Sequence, residues 1–207
     1  MAKATGEAKY TNIALTTFNS ILGRAGNPKG IYSKNLKEAR NLRSFSLPMI
    51  LCNLSLEMEH ILDPELVVEI SGKCIEDVME VFRDPQTGLT LENVNDDGSF
   101  SDSFDGRLIN PGHGIEAMWF IMDLAERNGD KALALNAMDR TLAILEHGWD
   151  KKYGGIFYFL DIKGHPPQQL EWDQKLWWVH VEALVALIKG YLHTGNKDCL
   201  GWFEKVH

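Results

Sequence analysis

A short polar turn with a central glycine recurs along this chain. It appears as Ala4-Thr5-Gly6-Glu7, as Arg127-Asn128-Gly129-Asp130 and as His193-Thr194-Gly195-Asn196. Between the first two, Leu62-Asp63-Pro64-Glu65 reads as a turn and a helix start, since proline is preorganised for the first helical position. The turns return roughly every 57 to 66 residues, and a chain that repeats its own punctuation folds as stacked units. A second series lies between them: Gly26-Asn27-Pro28-Lys29-Gly30-Ile31-Tyr32, Phe82-Arg83-Asp84-Pro85-Gln86-Thr87-Gly88-Leu89 and Trp149-Asp150-Lys151-Lys152-Tyr153-Gly154-Gly155-Ile156. Each leads into a short alternating or β-branched stretch, and Ile156-Phe157-Tyr158-Phe159-Leu160 is the best strand candidate.

Apolar spacing between these marks predicts helices over 10–22, 47–62, 64–82, 111–126, 131–146 and 172–192, with a short last helix from about 199. The expected fold is therefore all-α, each repeat being a helix, a longer loop with a scrap of strand, and a second helix. Stacked helix pairs make an open solenoid or a closed α/α barrel. Pro48-Met49-Ile50-Leu51-Cys52 and the run from Val181 to Leu187 are apolar on nearly every side, and such helices are covered all round. That favours the inner ring of a barrel, with long loops at one mouth and short turns at the other. About three hairpins are present where a closed ring usually needs about six. Residues 1–207 are thus expected to be one partial domain, cut at both ends from a longer array.

Composition narrows the partners. With 44% hydrophobic and 24% charged residues the chain is globular rather than disordered. Asp and Glu outnumber Lys and Arg by 29 to 21, which argues against nucleic acid and against anionic membranes as partners. Cys52, Cys74 and Cys199 are far apart and form no CxxC pair, so no zinc site is expected. They read as reduced core thiols of a cytoplasmic protein. No apolar leader opens the chain and no stretch reaches the length of a membrane span.

Two segments carry chemistry. In Asn110-Pro111-Gly112-His113-Gly114-Ile115-Glu116, Asn110 is a good N-cap and Pro111 a good first helical residue. His113 then lies in the first turn, with Glu116 on the same face. The helix dipole there favours a neutral imidazole, which can accept a proton, and Glu116 could orient it. Gly112 and Gly114 would leave room for a ligand. The competing reading is a capping histidine bonded to a neighbouring carboxylate. In Trp172-Asp173-Gln174-Lys175-Leu176-Trp177-Trp178-Val179-His180-Val181-Glu182, Trp178 and Glu182 share a face while His180 points elsewhere. Glu182 in apolar company is either a functional acid or base or a salt-bridged strut. Trp177 and Trp178 are either core residues or a platform for the apolar faces of a sugar. Arg107 and Glu171 are further pocket candidates. Arg107 alternatively forms a surface ion pair beside Asp105, and Glu171 alternatively caps its helix. GxGxxG, Walker and GxSxG motifs are missing and no metal-ligand spacing occurs. His113, Glu116 and Glu182 without a metal point to proton transfer rather than hydride or phosphoryl transfer.

The run from Asn110 to Phe120 resembles the signature of the N-acylglucosamine 2-epimerase (renin-binding protein) family. Trp149-Asp150 with Tyr153-Gly154-Gly155-Ile156-Phe157-Tyr158, and Gln169-Leu170-Glu171-Trp172 through Glu182-Ala183, are similar to the same family in the same order. Lys3-Ala4-Thr5-Gly6-Glu7 and Leu91-Glu92-Asn93-Val94 are closer to its animal members. The resemblance implies an (α/α)6 barrel. It implies interconversion of N-acetyl-D-glucosamine and N-acetyl-D-mannosamine in amino-sugar and sialic-acid metabolism. ATP or another nucleotide is implied as an activator that is not consumed, and a homodimer and renin as partners of the full-length protein.

The implied mechanism opens the sugar ring, removes the C2 proton to give an enediolate-like intermediate, and returns a proton to the opposite face. His113 matches the first catalytic histidine, Glu116 its neighbour, Glu182 a carboxylate that assists ring opening, and Trp178 a residue lining the sugar site. The family's second histidine would lie beyond His207 and its substrate-contacting arginine before Met1. Val179 stands where animal members often have proline. This chain by itself is therefore not expected to epimerise sugars. Three other readings stand beside this one: a binding or regulatory protein with a vestigial pocket, a cellobiose epimerase or aldose–ketose isomerase, and an α/α glycoside hydrolase. The last needs two carboxylates about 5 to 9.5 Å apart and would leave His113 unexplained.

Overall fold

The computed structural model describes residues 1–25 and 42–207, so the predicted turn at Gly26-Asn27-Pro28 lies outside the described residues. Helices α1 (Ala2–Thr5) and α2 (Ala8–Ala25) come first, followed by β1 (Leu42–Ser44), α3 (Ser46–Glu57) and α4 (Pro64–Glu76). After β2 (Asn93–Asn95) and β3 (Leu108–Ile109) come α5 (Pro111–Asn128) and α6 (Lys131–Gly148). β4 (Leu160–Asp161), α7 (Trp177–Thr194) and α8 (Asp198–Val206) complete the order.

The glycine turns end their helices as predicted. Gly6, Gly129 and Gly195 all sit at φ near +70°, the left-handed region that glycine enters without a Cβ clash. Asp63 caps α4 by accepting from the Glu65 N–H at 2.8 Å, with Pro64 at the first helical position. The predicted 64–82 helix changes character near its end, where Asp77–Val81 forms a π-helical turn. Wider winding leaves carbonyls without good partners. Arg140, buried on α6, donates to the Val78 and Met79 carbonyls at 3.1 and 2.8 Å and so satisfies two of them.

Helices α3, α5 and α7 contact one another in sequence, and each packs on the helix that follows it, α4, α6 or α8. Short turns therefore lie at one end and the long loops at the other. α5 is central and carries the densest core, including Ile115, Met118, Ile121, Met122 and Leu124. The expectation that α7 is covered all round does not hold. Its neighbours α5, α6 and α8 cover only part of its circumference, and Val181 (45%) and Leu192 (72%) stay exposed. All three cysteines are buried and free. His193, without a partner in its own segment, approaches Asp123 and Glu126 on α5. Lys189 already holds Asp123 at 2.6 and 2.8 Å, so the group is an ion-pair network between α5 and α7.

The long loops are stitched sideways from one repeat to the next. β1 pairs antiparallel with β2, Arg43 opposite Val94, and β3 with β4, Leu108 opposite Asp161. Two turns of the second series close by matching bridges, Arg83 with Thr90 and Trp149 with Ile156. The predicted strand at 156–160 is corrected. Only Leu160 belongs to a strand, while the Tyr158 and Phe159 N–H groups both donate to the Trp172 carbonyl at 3.1 Å. No helix of the described residues is long and apolar enough to cross a membrane.

Candidate active site

The N-termini of α5 and α7 meet at the long-loop end. Asn110, extended at φ −112°, accepts the His113 N–H at 3.1 Å, and Pro111 begins the helix. This places His113 in the first turn, as the sequence predicts. Its partner differs from the expected Glu116. Nδ1 of His113 lies 3.0 and 3.1 Å from the two carboxylate oxygens of Glu92, in the loop before β2. A carboxylate only accepts, so Nδ1 carries the hydrogen, and the in-plane lone pair of the neutral ring lies on Nε2. No other described residue bonds this ring. Burial is the largest single influence on the imidazole and acts to lower its pKa. The Glu92 hydrogen bond and the charges of Glu92 and Glu116 together outweigh burial, and the pKa is raised. The shift therefore runs opposite to the one expected from the helix dipole alone.

Glu116 lies one turn deeper and is only partly exposed. Burial, then the charge of Glu182, push its carboxyl above the usual glutamate range, with His113 opposing. Glu116 and Glu182 are 66 residues apart, the spacing that also separates Gly129 from Gly195. They therefore hold equivalent positions on the packed helices α5 and α7, near enough for the charge of Glu182 to act on Glu116. Glu182 accepts a 2.7 Å hydrogen bond from the Trp119 indole N–H.

Trp178 lies beside His113, with ring centroids 5.6 Å apart, and meets Tyr158 edge-on at 6.1 Å. Burial first, then the charges of Glu171 and Glu92, raise the Tyr158 pKa. The two glycines do not serve as room for a ligand. A Cβ on Gly112 would lie 2.6 Å from Trp178 Cη2 and 2.9 Å from Val179 Cγ2. One on Gly114 would lie 3.0 Å from Ile144 Cδ1. These positions are filled by the neighbouring helices, α7 and α6.

The remaining candidates separate. Trp177 is 77% exposed and lacks the packing of Trp178. Arg107 ties the loop together, donating through Nε to Asp161 at 2.8 Å and through Nη1 to Asp102 at 3.0 Å. Glu171 is exposed and cannot cap α7, which starts at Trp177 rather than at Trp172. His180 is held away from the site as expected. Its Nδ1 donates to the Leu176 carbonyl at 2.8 Å and its Nε2 accepts the Ile156 N–H at 3.1 Å. Sequence reasoning missed Glu92, Trp119 and Tyr158. The one available signal was the 66-residue register of Glu116 and Glu182, which points at Trp119 as a neighbour of both but at neither Glu92 nor Tyr158.

Comparison with known proteins places these residues in context. A family model described as N-acylglucosamine 2-epimerase (GlcNAc 2-epimerase) matches residues 1–207. The chain is 38% identical over 210 residues to N-acylglucosamine 2-epimerase of Mus musculus, covering 99% of this chain and 49% of that protein. For the Homo sapiens protein the identity is 36%, covering 99% and 48%. The chain thus spans about half the length of the curated relatives it matches. Among solved structures, cellobiose 2-epimerase from Bacillus thermoamylovorans B4167 superposes with a TM-score of 0.79 at 18% identity, over 99% of this chain and 54% of that one. A sugar epimerase from a ruminal bacterium gives 0.72 at 18% identity, with the same coverage. At this identity the likeness establishes the fold, a run of helix hairpins of the (α/α) toroid type.

Proposed function

The chain belongs to the N-acylglucosamine 2-epimerase family, and on that premise we propose that its site supplies the acid–base chemistry at one face of C2 of an N-acylated amino sugar in the interconversion of N-acetyl-D-glucosamine and N-acetyl-D-mannosamine. One observation carries the reading. His113 is tethered through Nδ1, which leaves Nε2 as its free base, and it lies beside an indole that can support the apolar face of a sugar.

Ring opening moves a proton from the C1 hydroxyl to the ring oxygen. Neighbouring carboxyl groups suit that transfer, and Glu116 and Glu182 are close enough for the charge of one to act on the other. The open sugar carries a C1 aldehyde, which acidifies the proton on C2. His113 Nε2 takes that proton, and the C2–H electrons form a C1–C2 double bond as the C1 carbonyl π electrons move onto its oxygen, giving an enolate that keeps the acylamino group on C2. Returning the proton to the same face regenerates the sugar, and protonation from the opposite face gives the epimer. His113 serves one face, so inversion requires a second acid on the other.

The test is proton NMR of each epimer in D2O with the purified protein, together with chemical acylation of histidine. Sugar is expected to protect His113 from acylation, and one epimer is expected to exchange its C2 proton with retention. His113→Asn should lose the exchange, together with the one acylation site that sugar protects. A folded protein whose His113 is not protected by either sugar, and which exchanges neither C2 proton, would overturn the proposal.

A further inference from the structure

We infer that Glu92 is the positioning residue of this site: it holds the His113 ring through Nδ1 and so fixes the tautomer whose Nε2 is the base. The inference rests on the reading of His113 as the C2 base. It starts from how firmly Glu92 itself is held. Its backbone joins both stitched loop pairs. The Glu92 N–H donates to the Leu108 carbonyl at 3.0 Å, next to the β3–β4 pair, and its carbonyl accepts the Phe45 N–H at 2.9 Å, next to the β1–β2 pair. The flanking Leu91 and Val94 are buried in the core. The side chain is 15% exposed and both of its oxygens approach the one imidazole nitrogen. His113 is fixed from its own side by the Asn110 cap. The pair is therefore oriented before any substrate arrives. A base whose rotation and tautomer are set in advance needs no reordering during proton transfer.

Four further groups bear on the ring or its partners. Glu116, on the same helix, adds its charge to that of Glu92. Glu182 on α7 acts on Glu116, Trp178 lies beside the ring, and the Tyr158 phenol feels the charge of Glu92. Among the described residues only Glu92 bonds the imidazole itself. Without it, the free ring is expected to shift toward the tautomer with hydrogen on Nε2, which moves the lone pair to Nδ1 and takes it from the nitrogen assigned to the C2 proton.

The experiment follows the histidine directly. Protein labelled with 15N-histidine is titrated while two-bond proton–nitrogen spectra report the tautomer and midpoint of His113. Wild type, Glu92→Gln and Glu92→Ala are compared. Wild type is expected to keep its hydrogen on Nδ1. In Glu92→Gln the amide oxygen still accepts, so the tautomer persists, but the midpoint falls because the charge is gone. In Glu92→Ala the Nε2–H tautomer appears and the midpoint falls as well. C2 exchange, followed in parallel, is expected to drop by about 100-fold in Glu92→Ala and less in Glu92→Gln, with sugar affinity little changed. A merely structural role would leave tautomer and midpoint where they are. If all three proteins share one tautomer and one midpoint, the assignment of Glu92 is overturned, whatever their activity. If the spectra respond as expected while wild type exchanges no C2 proton, Glu92 stands and the epimerase reading fails.

Discussion

Replacing Gly112 by alanine sets two opposing effects against each other at the contact between α5 and α7. Alanine is favoured over glycine within a helix by at most about 1 kcal/mol, partly through the unfolded chain. Against this stands a collision. The new Cβ would lie 2.6 and 2.7 Å from two ring carbons of Trp178 and 2.9 Å from Val179 Cγ2. Carbon atoms pack best at about 3.5 to 4.0 Å, so the indole edge must retreat by about 1 Å. It is a rigid ring already packed near His113 and Tyr158, and Val179 is fully buried, so neither neighbour yields easily. Overpacking of this kind costs about 1–3 kcal/mol. The net expectation is a loss of about 1–2 kcal/mol, or roughly 2–8 °C in Tm for a chain of this size.

The contact can be isolated with two companion variants. Gly72, inside α4, has no atom within 4 Å of a built Cβ, so Gly72→Ala should raise stability by about 0.5–1 kcal/mol. Gly114→Ala should be nearly neutral, because its obstacle is the flexible tip of Ile144. Thermal and urea unfolding followed by circular dichroism give the order, and tryptophan fluorescence reports the displaced indole. If Gly112→Ala matched Gly72→Ala in stability and left the fluorescence unchanged, the packing of Trp178 on α5 would be refuted.

Arg140→Met should destabilise the protein by about 2–4 kcal/mol in urea unfolding, since it strands the Val78 and Met79 carbonyls in the buried π-helical turn. Burial lowers this guanidinium to about 10, with Arg83 adding to the effect, yet it stays charged at neutral pH; a loss below about 1 kcal/mol would mean that water replaces it. For Glu116 the pKa in the folded protein is raised, so its contribution to stability is full at low pH and is lost as pH rises through the raised value. Relative to wild type, Glu116→Gln should therefore gain Tm increasingly from acid to neutral pH, while C2 exchange falls. An unchanged difference from wild type across this range would refute the raised Glu116 pKa.

The helix hairpins were legible in the sequence because their signals are local. A left-handed glycine, an Asp63–Pro64 start or an Asn110 cap satisfies backbone groups within a few residues. The same locality put His113 in the first turn of α5 and Glu116 one turn below. Where the signal was only apolar spacing it slipped. Trp172 looks like part of the helix, but α7 starts at Trp177, because the Trp172 carbonyl is taken by Tyr158 and Phe159.

Glu92 had no such mark. It lies 21 residues before His113, and the two meet only because one loop is paired with both of its neighbours. The glycines of the same motif were misread for a related reason. Whether an empty Cβ position admits a ligand or a neighbouring helix depends on what packs there, and at Gly112 it is Trp178 from α7. The sequence alone determined the repeats, their caps and the chemical groups at the head of α5. Tertiary structure decided which carboxylate holds the histidine, which carboxyls share a field and which tryptophan lies beside the base. Caps close over a few residues of backbone, whereas these pairings require separate repeats to be brought into register.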